Sequence, residues 1–186
     1  MLIFTKMRHP YSTNIKILEG INCEFNNNIL KCKKENIETS RKILVRGSEI
    51  ELSDGNIRLT CEKANKKTIA MIKSASSHIQ NMLNGLEEKF VYKLEICHVH
   101  FPMTVKVEGN KVVISNFLGE KESRTADILS DVNVEVKGNE ITISSRDIEK
   151  AGQTSANIEK ATRVPKKDKR VFQDGIFLTE KPRGKI

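Results

Sequence analysis

Residues 163 to 170 carry Arg163, Lys166, Lys167, Lys169 and Arg170, five cations within eight positions. The chemistry open to such a segment is binding. Each Lys or Arg that meets a phosphate releases condensed counterions from a nucleic-acid backbone. Pro165 disfavours helix there and leaves an extended, mobile arm. The plainer reading of the same charges is a solvated tail. Phe172 and Phe177 argue against a wholly disordered one, because they could dock the arm or stack on a base. The lysine groups Lys31, Lys33, Lys34 and Lys63, Lys66, Lys67 are more ambiguous and suit solvated faces equally well.

Cys97-His98-Val99-His100 is the other suggestive cluster. On a strand, His98 and His100 would share one face, as two metal ligands could. Cys97 would point to the opposite face, and no second cluster has suitable spacing. Partly buried or RNA-facing histidines are therefore expected, and no metal or cofactor. The sequence has no G-x-S-x-G elbow and no G-x-x-x-x-G-K or G-x-G-x-x-G phosphate loop. Glu87-Glu88 sits in a polar linker and reads as solvated surface. These absences argue against an enzyme and against a small-molecule substrate.

The 186 residues carry a net charge of +8, which favours a polyanionic partner. The charge is uneven. Residues 1–86 are net +6, residues 87–162 net −3, and residues 163–186 net +5. Leu2-Ile3-Phe4 is too short for the apolar region of a signal peptide. Cys23, Cys32, Cys61 and Cys97 are accordingly expected as reduced, mostly buried thiols in an intracellular protein. No apolar run approaches the ~18 residues of a membrane helix, so no membrane partner is expected.

The elements that must position these residues come in two similar sets. Asp54-Gly55 sits between alternating strands, and Gly138-Asn139 does so 84 residues later. At that offset Ile57 falls on Ile141 and Leu59 on Ile143. The first half predicts a hairpin around Asn26-Asn27-Asn28 and a second through Ile43, Val45, Ile50 and Leu52. A helix from about Asn65 to Leu83 follows, with Gly85 as its stop. The second half predicts strands at 91–99, 104–108, 112–114 and 132–136, then a return through Ile141 and Ile143. Its helix spans about Asp147 to Ala161, capped by Ser144 or Ser145. One short strand at 176–178 closes the chain. The expected fold is α+β: two tandem copies, 1–86 and 87–186, each a mostly antiparallel sheet covered by one helix. The basic extension begins at about residue 163.

The run Lys169-Arg170-Val171-Phe172-Gln173-Asp174-Gly175-Ile176-Phe177-Leu178-Thr179-Glu180-Lys181 resembles a C-terminal signature of large-subunit ribosomal proteins of the sixth universal family. The likeness is to the eukaryotic and archaeal branch, number nine in eukaryotic naming. Arg170, Phe172, Asp174, Gly175, Ile176, Leu178 and Lys181 match the signature. Phe177 stands in place of a Tyr, and Lys160 in place of a Gln. Ser77–Met82, Phe90–Lys93, His100-Phe101-Pro102 and Asn116–Lys121 are similar to further segments of that family.

The resemblance implies a duplicated α+β domain and a structural, non-enzymatic role. It implies binding to large-subunit rRNA near the sarcin–ricin loop and stalk base. Neighbouring ribosomal proteins would be partners, and translation factors would act nearby. It also implies that the second domain and its tail make most of the RNA contact. Lys121, Arg170 and Lys181 are nominated by motif; Arg124, Arg163, Lys166, Lys167 and Lys169 by charge and position. The expected location is the cytoplasmic ribosome, with nucleolar assembly in a eukaryote. The competing reading is a stand-alone module that binds partners through an exposed sheet edge.

Overall fold

Asn27-Asn28, Gly109-Asn110 and Gly138-Asn139 are two-residue turns between paired antiparallel strands. The computed structural model describes residues 9–182 apart from Asn36, Arg46, Asp54, Lys166 and Lys169. The turn residue Asp54 and the candidates Lys166 and Lys169 thus lie outside the described residues. Asn27 and Asn28 have φ of 51° and 63°, the left-handed pair that a tight hairpin turn demands. Gly55, Gly109 and Gly138 also take positive φ at turns.

The chain divides into two units, residues 1–87 and 88–186. The first contains β1 (His9–Lys16), β2 (Asn22–Asn26), β3 (Ile29–Lys34), β4 (Ile37–Lys42), β5 (Glu49–Ser53), β6 (Asn56–Ala64) and α1 (Lys66–Glu87). Its described residues form sheets ordered β1-β6-β5 and β2-β3-β4. The second contains β7 (Phe90–Cys97), β8 (Thr104–Glu108), β9 (Lys111–Ser115), β10 (Arg124–Asp127), β11 (Val132–Lys137), β12 (Glu140–Ser145), α2 (Ile148–Ala161) and β13 (Gly175–Glu180). Its sheets run β11-β12-β7-β13 and β10-β9-β8. The order repeats strand for strand, with β13 as the added member. Pairing repeats as well: Ile15 faces Ile57 as Leu94 faces Ile141, and Thr13 faces Leu59 as Tyr92 faces Ile143. The duplicated α+β fold is therefore present, and the described residues of each copy form two small antiparallel sheets.

Alternation fills each core. Ile57 and Leu59 of β6 are fully buried with Leu30, Ile72 and Ile79; Ile141 and Ile143 of β12 are fully buried with Leu94, Ile114 and Ile158. The α1 face of Ile72, Ile79, Met82, Leu83 and Leu86 has helical spacing. Asn65 caps α1 by accepting the Thr68 backbone N–H at 2.9 Å. Gly85 does not stop the helix. It is buried inside it, and the helix runs on through buried Leu86 to Glu87.

Other expectations are also corrected. Asp147 itself caps α2, its Oδ1 accepting the Glu149 N–H at 2.9 Å. Ser145, 2% exposed, instead donates to the Asp131 carbonyl. Ile43 and Val45 lie in the connection between β4 and β5. Cys23 and Cys32 are directly opposed in the β2–β3 hairpin, with Cα atoms 4.2 Å apart, and they form a disulfide. Among the described residues the free thiols are Cys61 and Cys97. Among the described residues no helix is long and apolar enough to cross a membrane.

Candidate nucleic-acid interface

The loop after β9 is built on an aromatic plug. Phe117 is 1% exposed in the second core. On either side the backbone turns through left-handed conformations at Asn116 (φ 60°), Leu118 (φ 50°) and Gly119 (φ 77°). The Asn116 side-chain amide donates to the Pro102 carbonyl at 2.9 Å. Lys121 stands exposed on this loop.

Arg124, at the loop's end, differs from the other candidates because its guanidinium faces inward. Nε and Nη2 donate to the two carboxylate oxygens of Glu120 at 2.7 and 2.6 Å. Nη1 donates to the carbonyls of Ala161 at 2.8 Å and Arg163 at 3.3 Å. The group also lies 4.4 Å over the Phe117 ring. Ala161 ends α2, where carbonyls lack helical partners, so this one residue ties loop, helix end and tail together. The hydrogen bonds from Arg124 hold the Glu120 carboxyl below its usual range against partial desolvation, helped by the charges of Arg124 and Lys167.

The tail is docked at its far end. Lys167 sits 4.4 Å above one side of the Phe172 ring, and His100 stacks on that ring at 5.1 Å with planes 21° apart. Asp174, 3% exposed, accepts the backbone N–H groups of Val99 and His100 at 2.8 and 3.0 Å. The His100 ring nitrogen Nδ1 donates to its other oxygen at 2.6 Å. Burial alone would raise the Asp174 carboxyl. The two N–H groups and the His100 ring outweigh that and hold it at about 2. Thr162, also buried, accepts the Ile176 N–H at 3.0 Å and so joins the end of α2 to β13. Between these elements lies an open cavity of about 870 Å³, bordered by Val99, Lys160, Arg163, Phe172 and Phe177.

The sequence candidates are thus partly assembled. Lys121, Arg163 and Lys167 belong to the neighbourhood that Arg124 and Glu120 organise, although they span 46 positions of sequence. Arg170 has a side chain 90% exposed and pairs with Asp168 at 3.0 Å. Lys181 is not brought to them. It follows the end of β13 beside Lys93, whereas Asp174 lies at the Cys97 end. The six-residue strand separates those ends by roughly 20 Å.

Residues 98–100, expected to extend the strand, lie beyond the end of β7. His98 is exposed and His100 is committed to Asp174. Among the described residues no group of three or more His, Cys, Asp or Glu is arranged to hold a metal ion. Glu120, Phe117 and the His100–Asp174 pair were not recognised from sequence as organisers of the site. The signal for Asp174 is its place in the tail signature; Phe117 and Glu120 lie within Asn116–Lys121, a segment similar to that family, but nothing in the sequence gives them an organising role.

Residues 101–175 match the family described as ribosomal protein L6. The large ribosomal subunit protein uL6 of Archaeoglobus fulgidus is 45% identical over 145 residues, covering 78% of this chain and 74% of that protein. The protein of the same name from Methanobrevibacter smithii is 44% identical over 167 residues, covering 90% and 94%. That of Haloarcula marismortui is 39% identical over 168 residues, covering 90% and 94%.

Proposed function

Because this chain belongs to the ribosomal protein L6 family, structural and non-enzymatic components of the large ribosomal subunit, we propose that its second unit clamps large-subunit rRNA near the sarcin–ricin loop and stalk base. The observation that carries this reading is the meeting of the Lys121 loop with the cationic tail at the end of α2. Cations distant in sequence are gathered on one unit, as a phosphate backbone requires. The outward-facing set is Lys121, Arg163, Lys167 and Arg170, with Lys166 and Lys169 assigned by charge. Lys181 makes a separate contact at the far end of β13.

Such contacts position the protein on folded RNA and read its shape more than its base order. The location near the sarcin–ricin loop is carried over from the tail signature, Arg170 to Lys181. From there the protein supports the region where translation factors act and meets neighbouring ribosomal proteins. It works in the cytoplasmic ribosome.

The test is binding of the full chain to a transcript of the large-subunit rRNA segment holding the sarcin–ricin loop and its adjoining helices. Binding that weakens steeply with salt is expected. Equal affinity for an unrelated structured RNA of the same length, at every salt concentration, would overturn the reading.

A further inference from the structure

The geometry points to Arg124 as a positioning residue of the RNA interface, one that presents the Lys121 loop and the tail in a fixed relation without itself neutralising a phosphate. The inference rests on the RNA-binding reading of the second unit. Four donor contacts of the guanidinium are made inside the protein: two to Glu120 and one each to the carbonyls of Ala161 and Arg163. One face lies against Phe117, and the side chain is only 26% exposed. A phosphate that claimed this fork would have to displace Glu120, whose carboxylate is an anion already seated in two-point geometry.

The connections explain why an arginine is needed. Its contacts join residues 37 and 39 positions apart, linking β10 to the end of α2 and to the first residue of the tail. An ammonium is a point donor on a flexible stem and cannot span a carboxylate and two carbonyls together. Glu120 has the complementary task. It adds negative charge to a surface otherwise suited to RNA, which makes sense if it orients Arg124 and interacts with Lys167.

Direct and indirect roles predict opposite results. In the positioning role, Arg124→Lys keeps the charge yet binds the sarcin–ricin transcript about tenfold more weakly, close to Arg124→Ala. Its salt dependence is also shallower, because Lys121 and Arg163 no longer align. Glu120→Ala weakens binding although it removes a negative charge. If Arg124→Lys restores wild-type affinity and slope, or if Glu120→Ala tightens binding, the positioning role is wrong. Failure of the unaltered chain to bind would instead overturn the RNA reading itself. Should either alanine variant unfold, Arg124→Lys and Glu120→Gln carry the same comparison, with Glu120→Gln expected to weaken binding.

Discussion

Asp174 holds His100 at two points: its Oδ1 accepts the His100 backbone N–H at 3.0 Å, and its Oδ2 lies 2.6 Å from the ring Nδ1. The pair, 74 positions apart, fastens the returning strand β13 to the chain just beyond β7. Phe172 packs on the same His100 ring, so the tail and the strand share one anchor.

Asp174→Asn therefore costs the second unit about 2 kcal/mol at neutral pH, the free energy of a carboxyl lowered from 3.8 to about 2. The folded value is depressed, so the stabilisation is present above about pH 4 and disappears as pH falls from about 4 to 2. Denaturant unfolding measured from pH 6 to pH 2 checks this. The wild type should lose its advantage over the variant across that window; a constant difference would be contrary to the assignment.

Gly152 lies in α2 beneath Tyr92, and a Cβ there would meet the Tyr92 hydroxyl at 3.0 Å. That hydroxyl donates to the Ile148 carbonyl at 3.4 Å. Gly to Ala in a helix interior ordinarily gains about 0.5–1 kcal/mol. Here Gly152→Ala is expected to gain nothing, while the same change in a Tyr92→Phe background recovers the gain. Thermal melts of the four proteins measure the coupling.

Cutting the chain after Val164 removes more than charge. It deletes fully buried Ile176, the Asp174 anchor and a whole strand of the larger sheet. The truncated second unit should be unstable, by more than about 3 kcal/mol from loss of Ile176 packing and the buried carboxylate contacts. Replacing Lys166, Lys167, Lys169 and Arg170 by Ala is the cleaner test of the tail. That variant should stay folded, and the slope of log affinity against log salt for rRNA should become shallower by about 3. An unchanged slope would mean that these side chains touch no phosphate.

Much of the architecture was legible before any coordinates. Asn27-Asn28 and Gly138-Asn139 mark tight turns through local backbone preference, and alternating Ile57/Leu59 and Ile141/Ile143 mark a buried strand face. These signals need only neighbours in sequence. Gly85 misled for the complementary reason. Its tendency to end a helix is weak beside the burial of Leu86, which depends on a core formed by other segments.

The site was legible as a list of cations but not as an arrangement. The sequence alone determined the duplication, the density of positive charge after residue 163 and the family signature in the tail. Each is a property of order along the chain. Only the tertiary structure decided that Arg124 turns inward to Glu120 and the end of α2, that Asp174 pins His100, and that Lys181 stands apart from the other candidates. The physical reason is packing. Charge and composition do not say which way a long side chain points. Phe117 entering the core, α2 ending beside β10 and β13 pairing with β7 settle that together, across 37 to 87 positions of sequence.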